Sequence, residues 1–251
     1  MTRPVRYPTF PPMRVALVHD GVTAPIDLVP SKIIGIGVNY RAHAAEMGKP
    51  LPAEPLMFLK PPSALIAHGE AIERPPGYAR VDHEGELGVV IGRRARRVSR
   101  EAALDVVLGL TCVNDVSVRE LQQRDGQWAR AKGFDTFCPL GPRIVAGLDP
   151  SRLAICTRVN GVVRQDSTTA DLIFDVPTLI AFVSAHMTLE PGDVISTGTP
   201  AGVGNMDPGD EVEIEIDRST LGLGRLRRQE AGWRAGGAVF ASRRAAGPCG
   251  R

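Results

Sequence analysis

Apolar residues come in many short runs along the chain, and glycine, proline and charged residues separate one run from the next. The segments SKIIGIGVNY and ELGVVIG are runs of this kind, and EVEIEIDR alternates apolar with charged residues as a half-exposed strand does. In TRVNGVVRQ, Asn160-Gly161 separates two strand-like runs, which is a strong signal for a β-hairpin. The pattern therefore predicts a chain made largely of strands.

Helices are predicted for only a few segments. SREAALDVVLGL begins with Ser99 as a helix cap, DVPTLIAFVSAHM begins with Asp175 followed by an early proline, and RAHAAEMG ends in Gly48. We interpret GRRARRVSR, Arg93 to Arg100, as a solvated turn after a strand rather than a site for polyanions. Few helices among many strands indicate an α+β fold with a predominantly β core.

The segment VDHEGELGVVIG places two glutamates at the start of an apolar run. Side chains alternate along a strand, so Glu84 and Glu86 point to the same side and repel each other unless solvent, a nearby base or a metal ion offsets the charge. A third carboxylate, Asp115, ends the apolar run in GLTCVNDVSVREL. Three carboxylates from separate strand ends suit a hard divalent ion such as Mg²⁺, Mn²⁺ or Ca²⁺ rather than zinc. A solvated strand face remains open as the alternative.

Composition is that of a globular protein. The 251 residues are 43% hydrophobic and 23% charged, enough for one large domain or two small ones. No apolar run is long enough to span a membrane, and the first residues lack the apolar segment of a secretory signal, so we expect a cytoplasmic protein. The four cysteines form no C-x-x-C pair, which predicts reduced thiols rather than a zinc site or a disulfide framework; they are Cys112, Cys138, Cys156 and Cys249.

The net charge of +2 hides an uneven distribution. From Arg218 onward there are eight basic residues and one acidic residue (+7), which leaves 22 basic and 27 acidic residues (−5) before it. Nucleic-acid binding needs a basic stripe interleaved with aromatic residues on the folded part, but aromatic residues make up only 5% of the chain. We therefore expect neither a nucleic-acid nor a membrane partner. The glycine-, alanine- and arginine-rich residues 229–251 have a composition typical of a disordered tail.

Seven consecutive blocks resemble the fumarylacetoacetate hydrolase family in order and approximate spacing. The blocks are IGIGVNYRAHAAEMG, PLMFLKPPSALI, VDHEGELGVVIG, NDVSVRELQ, RAKGFDTFCPLGP, RQDSTTADLIFDVPTLIAFVS and LEPGDVISTGTPAGVG. The resemblance implies the family fold, a mixed β-sheet roll with a few short helices. It implies a small N-terminal β segment at 1–30, a catalytic domain at 31–228 and the tail at 229–251.

The same resemblance implies a divalent-metal-dependent enzyme, usually a homodimer, that acts on small 2-oxo acids or 1,3-dicarbonyl compounds. The first expectation is hydrolysis of a carbon-carbon bond in an acylpyruvate, or decarboxylation of an oxaloacetate-like acid, through a metal-stabilised enolate. An isomerase (tautomerase) of a 2-hydroxy-dienedioate in aromatic catabolism is the first alternative. A non-catalytic small-molecule-binding homologue is the second.

Residue by residue, the resemblance identifies Glu84, Glu86 and Asp115 as ligands of Mg²⁺, with Mn²⁺ or Ca²⁺ as alternatives. It identifies Lys132 in RAKGFDTF as the catalytic lysine near the metal, with Thr136 close to the ion in some members. The expected substrate contacts are Arg119, Gln122 and Thr199. The loop STGTPAGVG around Thr199 has neither the G-K-[ST] ending nor the G-x-G-x-x-G register of a nucleotide site, so nucleotide binding is rejected.

His43 and Glu46 are spaced i, i+3 in a short predicted helix and so share one face. The carboxylate can then hold the imidazole tautomer and raise its basicity, although the spacing alone is more typical of a surface pair. The resemblance implies that both are catalytic and lie on a lid segment over the substrate. In the expected reaction, His43 deprotonates a water that attacks the distal carbonyl of the substrate, while Lys132 stabilises the enolate that remains.

Overall fold

The computed structural model of the protein describes residues 11–217. Within it the chain forms many strands and few helices, as the sequence predicts. The strands are β1 (Met13–His19), β2 (Val22–Leu28), β3 (Ile33–Gly37), β4 (Leu56–Lys60), β5 (Leu65–Ala67), β6 (Val81–His83), β7 (Gly85–Ile91), β8 (Val107–Asn114), β9 (Ser117–Val118), β10 (Cys138–Val145), β11 (Ala154–Val159), β12 (Val162–Thr168), β13 (Val194–Ser196), β14 (Gly204–Asn205) and β15 (Val212–Ile216). The α-helices are α1 (Arg41–Glu46), α2 (Arg119–Asp125), α3 (Ala129–Lys132) and α4 (Val176–His186), and 3₁₀ turns lie at Pro62–Ala64, Ala103–Val106, Pro150–Arg152 and Thr169–Asp171.

A nine-stranded mixed sheet forms the centre of the molecule. Its strand order is β2-β1-β10-β8-β7-β13-β3-β4, with β5 also paired to β10. The pairs β1/β10, β5/β10 and β3/β13 are parallel, and β7 pairs antiparallel with both β8 and β13. The prediction of a mixed-sheet, predominantly β member of the α+β class is thus confirmed.

Two smaller three-stranded sheets flank this centre, in the orders β12-β11-β15 and β14-β6-β9. The β11-β12 hairpin turns at Asn160 and Gly161, whose φ angles are +52° and +78°, as a two-residue turn of the predicted kind requires. Strand β15 alternates buried and half-buried positions, as its charged and apolar residues predict. The sequence pattern therefore located these elements correctly.

Strand β7 runs through the middle of the core, and all of its residues are buried. Its leucine, valine and isoleucine side chains belong to hydrophobic clusters on the two faces of the large sheet. Helix α4 covers one cluster with Leu179, Ile180 and Val183, all fully buried. A strand buried on both faces reads as a continuous apolar run, which explains why ELGVVIG shows no alternation.

The predicted helix beginning at Ser99 is wrong. Turns occupy the first residues, with a 3₁₀ turn at Ala103–Val106, and strand β8 begins directly after it at Val107. Pairing of β8 with β7 and β10 overrides local helix propensity there. Gly109 of β8 lies so close to β10 that a Cβ atom would come within 2.7 Å of the Val145 carbonyl oxygen, and this close approach suits a sheet rather than a helix.

Helix α4 has the N-terminus that the sequence predicts. Asp175 caps it by accepting a hydrogen bond from the Thr178 backbone N–H at 3.0 Å. The arginine-rich turn from Arg93 to Arg100 lies against this helix at the surface. Arg100 pairs with Asp175, and Arg96 donates to the Ala185 carbonyl at 2.9 Å near the other end of α4. The turn therefore holds helix α4 in place, a role that the interpretation as a solvated turn did not include.

The cysteines of the described range, Cys112, Cys138 and Cys156, are reduced thiols outside any disulfide, as predicted. Burial raises the pKa of Cys112 and of Cys138 to about 12, so both stay protonated. The predicted tail at 229–251 and Cys249 lie outside the described residues. Strands β1 and β2 lie within the predicted N-terminal segment and extend the large sheet through β10. None of the helices in the described range has the length and apolarity needed to cross a bilayer.

Candidate metal centre and catalytic pocket

Three carboxylates meet where strand β7 begins and strand β8 ends. Glu84 lies between β6 and β7, Glu86 lies in β7, and Asp115 directly follows β8. Because β7 and β8 run antiparallel, these positions are neighbours, and the Asp115 N–H donates to the Glu84 carbonyl at 2.8 Å. One oxygen from each carboxylate lies within 4.8 Å of the others. The structure thus brings the three predicted ligands together.

The chemistry of this cluster fits a hard divalent cation. Glu84, Glu86 and Asp115 are only 4%, 1% and 1% exposed, so solvent does not offset their mutual repulsion. This burial rules out the solvated strand face that the sequence left open. Carboxylate oxygens are preferred ligands of Mg²⁺, Mn²⁺ and Ca²⁺. A thiolate or imidazole, as expected of a zinc site, does not belong to the cluster found in the described range.

Two buried lysines lie against the carboxylates. Lys132, the last residue of α3, donates to Glu84 Oε2 at 2.6 Å and also to Asp115 Oδ2. Lys60, the last residue of β4, donates to Asp115 Oδ1 at 2.6 Å. Burial alone would lower the pKa of Lys132, but the carboxylates of Asp115, Glu84 and Glu86 raise it above its ordinary value. Its ammonium group therefore stays charged.

The carboxylates of the cluster are unequally compensated. Burial acts to raise the pKa of Glu84, but Lys132 and Arg119 outweigh it and hold that pKa well below its usual range. Burial and the neighbouring Asp115 and Glu84 carboxylates instead raise the pKa of Glu86 to about 8. The Glu86 carboxylate accepts hydrogen bonds from Ser196 Oγ and the Gly198 N–H at 2.5 and 2.9 Å. Among the three, Glu86 is thus the carboxylate that would gain most from a bound cation.

Arg119, the first residue of α2, connects the cluster to a further carboxylate. Its Nη2 donates to Glu84 Oε1 at 2.6 Å, and its Nε donates to Asp82 Oδ2 at 2.9 Å. Arg80 binds the same aspartate from the solvent side, with Nε 2.8 Å from Asp82 Oδ1. Gln122, one turn along α2, accepts from Arg119 Nη1. The two predicted substrate contacts on α2 therefore lie at the site, where Arg119 also holds Glu84 in place.

His43 and Glu46 form a hydrogen-bonded pair in α1. His43 is 4% exposed, and its Nδ1 lies 2.9 Å from Glu46 Oε2. The other oxygen of Glu46 accepts from the Gly202 N–H at 3.1 Å, which ties the helix to the glycine-rich loop. Because Glu46 engages Nδ1, Nε2 is the ring nitrogen left for proton exchange. The surface pair that the spacing also allowed is excluded by the burial of His43.

One narrow pocket is lined by His43 and by two carboxylates of the cluster, Glu84 and Glu86. Its free space is about 20 Å³, room for about one water molecule, so a larger molecule enters only if one wall moves. Trp128 stands edge-on to Phe58, with ring centroids 5.4 Å apart. A Cβ atom on Gly37 would come within 2.2 Å of the Trp128 ring, so a glycine is needed there. The pocket is lined by Ile36, Gly37, Val38, His43, Met47, Glu84, Glu86, Arg119, Gln122, Trp128, Lys132 and Thr199.

Thr199 lines the pocket as predicted, but its hydroxyl group is bonded to the protein. It donates to the Gly85 carbonyl at 3.0 Å and accepts from Gln165 Nε2 at 2.7 Å. Thr136, expected near the ion, does not line this pocket, and its hydroxyl accepts from the Glu73 N–H at 2.8 Å. Thr136 therefore serves the backbone of a neighbouring loop.

Several residues at the site were missed by sequence reasoning. Asp82 had a readable signal, because it lies two residues before Glu84 and so shares the strand face of the two glutamates. Lys60 had a weaker signal, a lysine at the end of the apolar run PLMFLKPP. Trp128 and Gln165 had none, since their positions depend on how separate elements pack.

Comparison with known proteins shows which family the sequence matches. The family described as "Fumarylacetoacetate (FAA) hydrolase C-terminal" matches residues 32–229. An uncharacterized protein of Archaeoglobus fulgidus is 54% identical over 209 residues, covering 80% of this chain and 84% of its own length. The oxaloacetate tautomerase YisK of Bacillus subtilis is 44% identical over 207 residues, covering 77% of this chain and 69% of its own length.

A solved structure shows the same fold. The 5-carboxymethyl-2-hydroxymuconate delta-isomerase of Mycobacterium smegmatis is 50% identical and superposes with a TM-score of 0.74. The alignment covers 81% of this chain and 79% of that one. At this identity the likeness extends to sequence as well as to architecture.

Proposed function

The chain belongs to the fumarylacetoacetate hydrolase family, and on this premise we propose that it is a divalent-metal-dependent enzyme that interconverts the keto and enol forms of a small 2-oxo acid. One observation carries the proposal. His43 is a buried imidazole, held by Glu46, in a pocket that Glu84, Glu86 and Lys132 also line. Two relatives are named for proton-transfer reactions, one as an oxaloacetate tautomerase and one as a muconate isomerase.

Glu84, Glu86 and Asp115 are the residues that would hold the ion, and their hard oxygen donors suit Mg²⁺ or Mn²⁺. Such an ion would supply Lewis-acid chemistry, stabilising the negative charge that develops on a 2-oxo acid. Lys60 and Lys132 balance part of the charge of the carboxylates and keep their oxygens in place through the hydrogen bonds described above.

His43 is the group that we assign to proton transfer. Conversion of the keto to the enol form needs a base that removes a proton from C3 of the 2-oxo acid and a donor that places a proton on the 2-oxo oxygen, and the reverse conversion needs the opposite transfers. The Glu46 carboxylate accepts a hydrogen bond from Nδ1–H, which leaves Nε2 of the neutral ring free to take the proton. The ammonium group of Lys132 stabilises the negative charge that develops on the enolate oxygen. The narrow pocket beside Trp128 has room for about one water molecule, which limits solvent screening and so strengthens that interaction.

Cleavage of a carbon-carbon bond is the second candidate, either hydrolysis of an acylpyruvate or decarboxylation of an oxaloacetate-like acid. The oriented His43–Glu46 pair supports it, because a base of this kind also activates water. The pyruvate enolate left after cleavage would be stabilised by Lys132 in the same way. The two candidates therefore differ in whether a bond other than C–H breaks.

Two products distinguish these reactions. Metal-free protein, prepared with a chelator, would be compared with protein supplied with Mg²⁺ or Mn²⁺, using oxaloacetate, acetylpyruvate and a 2-hydroxy-dienedioate as substrates. Ultraviolet absorbance follows the enol form, and a coupled reduction of pyruvate follows cleavage. We expect metal-dependent keto-enol exchange without pyruvate release. Metal-dependent pyruvate release would favour the second candidate, and equal turnover with and without a divalent ion would contradict both.

A further inference from the structure

The peptide group of Gly85, between the two glutamates of the cluster, lies beyond the end of the neighbouring strand. Strand β13 pairs with β7 only from Gly88 to Val90 and ends at Ser196. The Thr197 N–H extends this contact once, to the Leu87 carbonyl at 3.0 Å. At Gly85, therefore, no backbone from β13 is available to bond the N–H and C=O groups that face that side.

Two side chains take the place of the missing strand. The Gly85 N–H donates to Gln165 Oε1 at 2.9 Å, and the Gly85 carbonyl accepts from Thr199 Oγ at 3.0 Å. Gln165 comes from β12 of a separate sheet and is 1% exposed. Its Nε2 donates to Thr199 Oγ at 2.7 Å and to the Pro200 carbonyl at 2.8 Å. One buried amide thus joins the glutamate-bearing strand to the glycine-rich loop.

The direction of every hydrogen bond in this network is fixed. The Gly85 N–H can only donate and the Pro200 carbonyl can only accept, so the Gln165 amide has a single orientation. Its NH₂ group then donates to Thr199 Oγ, and the Thr199 hydroxyl proton is directed to the Gly85 carbonyl. While this arrangement lasts, Thr199 Oγ can offer a substrate a lone pair but no proton.

Gly85 is packed so closely by its neighbours that a side chain does not fit there. A Cβ atom at this position would lie 2.0 Å from Thr157 Oγ and 3.2 Å from Gln165 Oε1. Thr157 and Gln165 are opposite each other in the β11-β12 pair, so one edge of that small sheet presses on the Gly85 peptide. The carboxylates of Glu84 and Glu86 extend from the residues on either side of this peptide. A shift or rotation of the peptide would move both.

We propose that Gln165 is a positioning residue, which fixes the Glu84–Gly85–Glu86 backbone for metal binding and orients the Thr199 hydroxyl group. The proposal rests on the proposed function only in that the carboxylates bind a divalent ion. Residues that hold metal ligands in place change metal affinity by about 10- to 100-fold when they are replaced. A side chain that merely stabilised the fold would change the melting temperature and leave metal affinity alone.

The test measures Mn²⁺ binding to the metal-free, full-length protein by titration calorimetry, with thermal unfolding alongside. Gln165→Leu keeps the size of the side chain and removes its hydrogen bonds, and we expect the dissociation constant for Mn²⁺ to rise about 10-fold or more. Thr199→Val, which removes the other partner of Gly85, should weaken Mn²⁺ binding in the same direction. Thr199→Ser keeps the hydroxyl group and should restore the affinity.

Ser184→Ala is the matched control, because it removes a buried hydrogen bond to the Val98 N–H beside α4. This variant should lower the melting temperature without changing Mn²⁺ affinity.

The two replacements act on one peptide, so their effects on Mn²⁺ affinity should be less than additive in the double variant. A dissociation constant in Gln165→Leu equal to that of the unmodified protein would overturn the proposal. Strictly additive effects would overturn it as well. If Gln165→Leu does not fold, the Mn²⁺ affinities of Thr199→Val and Thr199→Ser test the proposal by themselves. Failure of the unmodified protein to bind Mn²⁺ would instead contradict the proposed function.

Discussion

Two charge-rich regions of this protein, the buried cluster around Glu84 and the surface turn from Arg93 to Arg100, are organised in opposite ways. In the turn, Arg94 pairs with Glu190 and Arg100 with Asp175, and each of these four side chains is at least 40% exposed. In the cluster, four buried carboxylates meet three cationic side chains. The carboxylates belong to Asp82, Glu84, Glu86 and Asp115, and the cations to Lys60, Lys132 and Arg119.

The two regions differ in what happens to a charged side chain when its ion-pair partner is removed. Water solvates a surface charge whose partner is removed, so an exposed pair contributes little. A buried carboxylate that loses its cation has no such substitute and must take up a proton or destabilise the fold. Arg80, on the solvent side of Asp82, makes the cations equal in number to the carboxylates, but Glu86 accepts its hydrogen bonds from Ser196 and the Gly198 N–H rather than from a cation, which leaves it to a divalent ion. Replacements in the two regions should therefore differ in kind as well as in size.

Lys132→Met should have the largest effect. It leaves Glu84 and Asp115 without a shared cation in the interior, and breaking a buried pair costs about 3–5 kcal/mol of unfolding free energy. Turnover should fall about 10²-fold or more, because the group that stabilises the enolate is gone. Mn²⁺ should nevertheless bind more tightly, since a competing positive charge has been removed. Denaturant unfolding, turnover and calorimetry give the three readings.

Lys32→Met is the control for this variant. Lys32 also pairs with a buried aspartate, Asp193, but that carboxylate keeps hydrogen bonds from Ser31. Turnover and Mn²⁺ affinity should be unchanged in this control. Weaker Mn²⁺ binding in Lys132→Met would show that the lysine organises the ligands more than it competes with the ion.

His43→Ala should slow the proton transfer without changing the balance of charges in the carboxylate cluster. If His43 transfers the proton, kcat should fall by roughly 10² to 10⁴, while Mn²⁺ affinity stays almost the same because His43 is not one of the clustered carboxylate ligands. His186→Ala, which replaces an exposed histidine on α4, should leave both unchanged. Keto-enol exchange at the full rate in His43→Ala would contradict the assignment of His43.

The raised pKa of Glu86 predicts a pH dependence. Between its ordinary value of 4.5 and about 8, the folded metal-free protein holds a proton on Glu86 that the unfolded chain has lost. Its contribution to stability therefore decreases as pH rises through this range. Metal binding expels the proton, so Mn²⁺ should release about one proton from Glu86 at pH 7 and progressively less above pH 8. Calorimetry in buffers of different ionisation enthalpy measures the release, and Glu86→Gln should abolish it. A release that is constant from pH 6 to 9 would contradict this assignment.

Much of the fold could be predicted because local patterns and tertiary packing agree. The Asn160-Gly161 turn, the Asp175 cap and the β7 run each carry a signal within a few residues. The helix predicted to begin at Ser99 was wrong because sheet pairing overrides the helix propensity of that segment. The homodimer, the cytoplasmic location and the domain boundaries stay predictions.

The candidate site divides along the same line. Alternation along one strand placed Glu84 and Glu86 on the same side, and helical spacing placed His43 and Glu46 on one face, but the resemblance to the family was needed to assign these pairs a function. The resemblance to the family added Lys132, Arg119 and Thr199. Gln165 could not be found in this way, because it reaches the site from another sheet and only the packing of β12 against β7 reveals its partner.

Arg100→Ala should have the smallest effect, and it tests the surface side of the comparison. The guanidinium contacts one Asp175 oxygen, whereas the other oxygen accepts from the Thr178 N–H and hydroxyl group at 3.0 and 2.6 Å. Removing Arg100 leaves the helix cap intact, so we expect a loss of about 0.2–1 kcal/mol, which salt should reduce further. Asp175→Ala removes cap and pair together and should cost about 1 kcal/mol more than Arg100→Ala. Turnover and Mn²⁺ affinity should not change in either variant. If Arg100→Ala cost as much as Lys132→Met, exposure would not be what separates the two regions, and the arginine turn would have to be regarded as part of the structural core.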